Sequence, residues 1–200
     1  MAITISGSGI TSANIADGTI VNADIADVAA SKLTGALPAI DGSALTGMPA
    51  GGKVLQVLQS IVTTTTTSTS STYNTISGMT VTITPASTAS KILVMFSFNG
   101  HGNNYGSALR LVRGSTSLPV GTAVGSRVGG LGAYHMGEAG EMTHVSGQSL
   151  DAPATTSATT YALQWRTNGG TDFFNRSESD LDSSDYPRAA SSITVMEIGA

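Results

Sequence analysis

Hydrophobic positions recur with two different periods along this chain, and the period changes near Gly51-Gly52. In the first part an isoleucine stands at every fifth position: Ile5, Ile10, Ile15, Ile20 and Ile25. This spacing matches neither the 3.6-residue turn of a helix nor the two-residue alternation of a strand. It is typical of a chain that winds and turns one apolar residue inward per short repeat. We therefore predict a repetitive segment over residues 1–50 and a separate domain over residues 51–200.

The isoleucine repeat is too short to bury its own apolar side chains. About 45 repeat residues have too little apolar area to offset roughly 1–2 kcal/mol of backbone entropy per ordered residue. The isoleucines are therefore expected to meet copies of themselves on other chains. The repeat predicts an oligomeric shaft.

Beyond Gly52 the hydrophobic period becomes two. Residues 79–85 alternate apolar and threonine side chains, which is typical of a half-buried strand that ends at a proline. Residues 91–98 are apolar on both faces and predict a central strand. Three more strands are predicted from related patterns: residues 108–113, 161–166 and 192–198. Trp165 lies on one of them and is predicted to be a core residue.

The segment 54–62 is compatible with two interpretations. Its apolar residues also fit one face of a helix, but its β-branched residues and the following run Thr63–Thr67 favour a strand. Two or three weaker strands are expected between residues 115 and 150. The total of seven to nine short strands with Gly-rich turns predicts an all-β fold, with a C-terminal antiparallel β-sandwich or jelly roll.

Composition excludes several classes of function. The net charge is −4 and nine basic residues are scattered from Lys32 to Arg188, which argues against nucleic-acid binding. The chain has no cysteine, so disulfides and Cys-based zinc sites are absent. No apolar run approaches the ~20 residues of a membrane span, and no signal peptide is visible at the start. We expect a protein made in a cytoplasm, not exported by the common route and not inserted into a membrane.

Metal and catalytic motifs are also weak. The three histidines have no metal-ligand spacing: His101, His135 and His144. The acidic segment with Asp180, Asp182 and Asp185 could offer oxygen ligands to Ca²⁺ or be a solvated loop, and the sequence leaves both interpretations open. No serine stands in a Gly-x-Ser-x-Gly elbow, and Glu138 and Glu141 form a pair only by proximity in sequence. We predict no cofactor, no metal, no catalytic residue and no enzymatic activity, with a polysaccharide depolymerase as the hypothesis to be tested against this.

Two glycine-rich segments are candidate recognition loops. Rigid β-domains present binding residues on loops, and aromatic rings beside amides suit sugar ligands. One loop follows His101, and the other lies among the seven glycines between Gly121 and Gly140. Plain connecting loops are the alternative. The candidate surface-recognition residues are Asn103, Asn104, Tyr105, Tyr134 and His135.

Several segments resemble bacteriophage proteins. Residues 37–47 are similar to a linker in many tail-fibre and structural proteins of phages. Residues 53–59 with the Thr/Ser tract after them resemble the entry strand of a fibre-tip domain in phages of aquatic bacteria. Residues 78–85 and 90–94 continue this pattern, and residues 192–198 close it. The resemblance covers most of the chain and is thin between residues 101 and 150.

The resemblance implies a homotrimeric virion protein, with intertwined N-terminal segments and three β-sandwich heads, broadly like the tumour-necrosis-factor jelly roll. Three chains that share one axis of isoleucines would bury the repeat, and the small residues Ala13, Gly18 and Ala23 would let them approach closely. The implied function is that of a non-enzymatic fibre or spike subunit. Its N-terminal arm would attach to other virion proteins, and its head would contact a host-surface glycan or protein or a neighbouring virion protein. The same motifs occur at several virion positions, so a capsid decoration (cement) protein is the alternative.

Overall fold

A computed structural model describes residues 52–102 and 106–200, which belong to one compact unit over Pro49–Ala200. The described residues form β-strands and no helix. The strands are β1 (Val54–Val62), β2 (Thr66–Ser68), β3 (Asn74–Ile83), β4 (Lys91–Gly102), β5 (Ser107–Arg113), β6 (Thr116–Ser117), β7 (Gly132–Tyr134), β8 (Thr143–Asp151), β9 (Thr159–Arg166), β10 (Asp172–Phe174) and β11 (Ser191–Ile198). No helix long and apolar enough to cross a membrane occurs in these ranges.

The strands form two antiparallel sheets that pack together. Sheet A has the order β1-β11-β4-β10-β2, and β8 pairs with the other edge of β4. Sheet B has the order β3-β9-β5-β6, and β7 also pairs with β5. The predicted all-β fold with a C-terminal β-sandwich is therefore confirmed. The more specific assignment, that this β-sandwich is a jelly roll, stays a prediction.

The core lies between the sheets because burial alternates along the long strands. In residues 91–99 of β4 and along β11 every second side chain is buried, and the buried positions are apolar except for Ser191 and Glu197 near the ends of β11. Trp165 is 1% exposed, and its ring centroid lies 6.4 Å from that of Phe98 and 6.2 Å from that of Phe174. The prediction that Trp165 is a core residue is confirmed.

Most predicted strands are present. The patterns at residues 91–98, 108–113, 161–166 and 192–198 fall within β4, β5, β9 and β11, and residues 54–62 form a strand. The pattern at residues 79–85 overlaps β3, which ends at Ile83, two residues before the proline. The region 115–150 contains β6, β7 and β8, as expected. The strands β2 and β10 were not predicted, because a three-residue segment is too short to show alternation.

Some predictions concern residues that the structure does not describe. The isoleucine repeat lies there: Ile5, Ile10, Ile15, Ile20 and Ile25. The loop candidates Asn103, Asn104 and Tyr105 lie there too. The N-terminal arm, its boundary near residue 50 and the trimer therefore stay predictions.

Candidate functional site

Of the two candidate recognition residues that the structure describes, one is exposed and one is buried. His135 is exposed just after β7, whereas Tyr134 is only 5% exposed and packs against Phe98 with ring centroids 4.9 Å apart. The prediction of Tyr134 on a recognition surface is therefore corrected. Residue 134 faces inward because β7 alternates and pairs with β5, which places it opposite Ser107. A recognition role for His135 stays a prediction.

The hydroxyl of Tyr134 belongs to a buried polar cluster around Asp172. Tyr134 donates to Asp172 Oδ2 at 2.8 Å, and Ser107 Oγ donates to Asp172 Oδ1 at 2.8 Å. Burial raises the pKa of Asp172, and the hydrogen bonds from Tyr134, Ser107 and Thr167 oppose that rise. Burial also raises the pKa of Tyr134, and the neighbouring carboxylate raises it further.

This cluster does not have the geometry of a nucleophilic site. In a Ser-His-Asp triad the histidine lies between the serine and the carboxylate, whereas Ser107 donates directly to Asp172. The nearby His101 is 1% exposed, with Nδ1 3.0 Å from the Glu141 carbonyl oxygen and Nε2 3.6 Å from Glu178 Oε2. The arrangement is that of polar groups that fix strands to one another within a core.

The two glutamates considered for sugar hydrolysis lie in one tight turn. The Glu141 amide donates to the Glu138 carbonyl oxygen at 3.0 Å, and Glu141 Oε2 accepts from the Glu138 amide at 3.4 Å. A glycosidase pair needs two carboxylates on opposite sides of a bound sugar. In this turn the Glu141 carboxylate folds back on its own backbone, so the pair does not frame a groove.

In the acidic loop, Asp180 is paired with two arginines that flank it in the sequence. Asp180 accepts two hydrogen bonds from Arg188, at 2.9 and 3.1 Å, and lies 3.8 Å from Arg176 Nε. The hydrogen bond from Arg188 is the main reason that the pKa of Asp180 is lowered. Asp185 accepts from Ser183 at 3.3 Å. Across residues 52–102 and 106–200, no three His, Asp or Glu side chains come together in a way that could hold a metal ion.

The outward face of sheet A carries a row of apolar side chains. Strand pairing places Val57, Met196, Leu93 and Leu150 side by side across β1, β11, β4 and β8. Val57 is 50% exposed and Leu150 is 55% exposed. We call these four residues the apolar row. Alternation makes them face outward, because their neighbours Ile92, Val94 and Val195 are buried in the core.

The same face is almost free of charge. Among the outward positions of β1, β4, β8 and β11, Lys91 is the only lysine, arginine, aspartate or glutamate. Two further apolar side chains of β1 are exposed on it, Leu55 at 43% and Ile61 at 63%. Contiguous exposed apolar surface of this kind marks interaction sites. Sequence reasoning found the strands but missed the row, because the row depends on the register of four strands distant in sequence.

The outward face of sheet B is polar and is partly covered by the glycine-rich segment 120–132. Gly130 lies so close to β5 that an added Cβ would be 3.2 Å from Ala108 Cβ and from the Leu109 carbonyl oxygen. Tyr73 donates to the Gly129 carbonyl oxygen at 2.6 Å, and its ring stacks on the guanidinium of Arg110, 4.1 Å away. These contacts hold the segment against the sheet.

A cavity of about 580 Å³ opens between this segment, the start of β5 and the end of β9. Its size is within the range of small-molecule sites. Arg127 and Arg166 line it, together with Thr122, Ser126 and Asn168, and no lining residue is acidic. The sequence predicted the glycine-rich loop as a candidate site but did not identify Arg166. The alternation of β9 shows only that residue 166 faces away from the core, not that it lines a cavity.

Comparison with known proteins adds no identification. No protein-family model matches the chain, and no curated protein matches it. The site geometry and the sequence patterns therefore carry the functional argument.

Proposed function

We propose that this chain is a non-enzymatic structural subunit of a bacteriophage particle and that it assembles as a homotrimer. In this proposal it is a fibre or spike subunit. The N-terminal arm attaches to other virion proteins, and the β-sandwich head contacts a host-surface glycan or protein or a neighbouring virion protein. The resemblance of residues 37–47 and 53–59 to phage fibre segments supports the class of protein.

The observation that carries the assembly proposal is the apolar row. Interface cores are depleted in charged residues, and among the outward positions of β1, β4, β8 and β11 only Lys91 is a lysine, arginine, aspartate or glutamate. Burial of a half-exposed Val or Leu side chain contributes on the order of 1 kcal/mol. Several such side chains on each of three chains would contribute to the free energy of assembly and offset part of the cost of association. We therefore place the contact between heads on this face.

The strand order supports the jelly-roll form of the head. When β1 with β2, β6 with β7 and β10 with β11 are each counted as one strand, the domain has eight strands. Their order is then 1-8-3-6 in sheet A and 2-7-4-5 in sheet B. This interleaved order is that of a double-sheet jelly roll built from two Greek keys.

The assembly proposal is tested by light scattering on the full chain over a range of concentrations. We expect about three times the 20.1 kDa monomer mass. Val57→Lys and Leu150→Lys each place a charge in the proposed interface, so we expect dissociation at concentrations at least about tenfold higher. Thr80→Lys is the matched control, because Thr80 is exposed on sheet B. A monomeric wild-type chain, or unchanged dissociation in both variants, would contradict the proposal.

The position in the particle is tested by labelling the C-terminus and imaging virions. Label at the tail supports the fibre or spike subunit. Label spread over the capsid contradicts it and favours the alternative, a capsid decoration protein.

The prediction that the protein is not an enzyme is tested by incubation with host polysaccharide. Release of reducing ends that is lost on changing Glu138 or Glu141 would overturn it.

A further inference from the structure

We propose that the cavity on sheet B is a binding site for a small anionic sugar, and that Arg166 and Arg127 bind its acidic group. This inference does not rest on the proposed function, since it concerns a different face of the domain. The acidic group is an oxyanion, either the carboxylate of a sugar acid or the sulfate of a sulfated sugar. Thr122, Ser126 and Asn168 line the same cavity and can bind the sugar hydroxyls.

Arg166 is a buried arginine whose hydrogen-bond donors are not all used. It is 9% exposed, and its Nε is buried with no hydrogen-bond partner among the described residues. Its Nη2 makes only two long hydrogen bonds, at 3.3 Å to the Thr167 carbonyl oxygen and 3.5 Å to Asn168 Oδ1. A buried guanidinium nitrogen without a hydrogen-bond partner is costly, and a carboxylate or sulfate is the group that the planar fork of arginine fits.

Charge balance points to the same place. Arg113, Arg176 and Arg188 each form a salt bridge with an aspartate. Within residues 52–102 and 106–200, no salt bridge is formed by the other three arginines, Arg110, Arg127 and Arg166, all of which lie on the sheet B side of the domain.

The buried carboxylate of Asp172 does not supply the missing partner. Asp172 lies behind Ser107, is fully buried, and accepts from Ser107 and Tyr134. The lining of the cavity therefore has two positive groups and no negative one. An acidic group in the cavity would be attracted by the positive charges of Arg127 and Arg166, which no lining residue balances.

The shape of the cavity is held by its backbone. The amide of Gly121 donates to the Gly130 carbonyl oxygen at 3.1 Å and joins the two ends of the segment that carries Thr122, Ser126 and Arg127. The Leu131 amide donates to the Leu109 carbonyl oxygen at 2.7 Å and fixes that segment to β5. The site is thus built on a sheet and a clamped loop, which suits a largely preformed pocket.

The test is calorimetric titration of the full chain at low salt with three probes: glucuronate, glucose 6-sulfate and glucose. We expect at least one charged sugar to bind at least about tenfold more tightly than glucose, because charge-assisted hydrogen bonds are about twice as strong as neutral ones. Whether glucuronate or the sulfated sugar binds more tightly identifies the acidic group. Equal binding of all three sugars, or no binding of either charged sugar, would overturn the proposal.

Variants assign the binding to this cavity. Arg127→Gln changes an exposed side chain, so the fold should persist, and we expect affinity to fall about tenfold. Lys91→Gln removes the same charge from the opposite sheet and should leave affinity unchanged. Arg166→Met keeps an unbranched side chain as far as the position of Nε and removes the buried charge, so it should abolish binding without lowering the melting temperature. Equal affinity losses in Arg127→Gln and Lys91→Gln would show a general charge effect and refute the site.

Discussion

Asp172 is the buried acidic residue around which three separate parts of the chain meet. Its carboxylate accepts from Ser107 at the start of β5 and from Tyr134 at the end of β7. Gly102 lies beside this contact, where an added Cβ would be 2.9 Å from the Tyr134 ring. A charged group in the core is tolerated only while its hydrogen bonds are complete. The cluster therefore fixes β5, β7 and β10 relative to one another.

Tyr134→Phe tests the cluster. The substitution keeps the ring but removes the hydroxyl, which leaves a buried carboxylate oxygen without its donor. We expect a loss of about 1–3 kcal/mol in the free energy of unfolding, measured by urea unfolding at a fixed protein concentration. Tyr186→Phe is the control, because Tyr186 is half-buried in a loop. Similar small losses in the two variants would contradict the structural role of this bond.

At the scale of elements, the β1–β11 pair is held by a second buried acid. Glu197 on β11 is fully buried and accepts from Gln56 Nε2 at 2.6 Å and from the Ala86 amide at 2.7 Å. Burial by itself raises the pKa of Glu197, but these hydrogen bonds outweigh burial and lower the pKa below its usual value. A lowered carboxylate pKa means that ionisation stabilises the folded state.

Glu197→Gln is therefore expected to destabilise the domain in a pH-dependent way. The stability from ionised Glu197 is present above the pKa of an unfolded glutamate and is lost as pH falls through the lowered folded-state pKa. At neutral pH we expect the variant to lose about 1–3 kcal/mol, as for hydrogen bonds to a charged group. The difference from wild type should shrink as the solution is acidified, in urea unfolding measured from neutral to acidic pH. A pH-independent difference would contradict this role.

The acidic loop after β10 gives a prediction about calcium. Asp180 is engaged by Arg188 and lies near Arg176, so its charge is already balanced within the loop. A Ca²⁺ site needs six to eight oxygen ligands around one point. We expect the same melting temperature in millimolar Ca²⁺ as in a chelator. If Ca²⁺ raised the melting temperature by several degrees and Asp182→Asn removed that rise, the result would support a calcium site in this loop.

The sequence predicted those elements whose pattern is local. The alternation at residues 79–85 and the apolar run at 91–98 are visible in the chain itself, because burial on one or both faces selects the side chains directly. Tyr134 was misplaced because β7 has three residues and its inward direction is set by pairing with β5. Arg166 and the apolar row were missed for the same reason: each depends on register between distant strands.

At the scale of the whole molecule, the two sheets of the head have different surfaces. The outward side of β1, β4, β8 and β11 in sheet A carries the apolar row and one lysine, Lys91, whereas sheet B shows polar side chains, two arginines in a cavity and a clamped loop. If the heads meet through sheet A, sheet B faces away from the trimer axis and its cavity stays open to solvent. One domain can then assemble on one side and bind a ligand on the other. The binding experiment and the assembly experiment can fail independently.

Removal of the isoleucine repeat separates the contributions of the arm and the head to assembly. We propose a chain that starts at Gly52 and compare it with the full chain by light scattering over the same concentrations. Since the apolar row remains, we expect the shortened chain still to form trimers, but to dissociate at concentrations at least about tenfold higher, because the arm no longer links the subunits. Val57→Lys in the shortened chain should then leave only monomers. A shortened chain that is monomeric at every concentration would assign assembly to the isoleucine repeat alone. One that dissociates like the full chain would mean that the arm has no part in holding the trimer and is free to serve as an attachment segment.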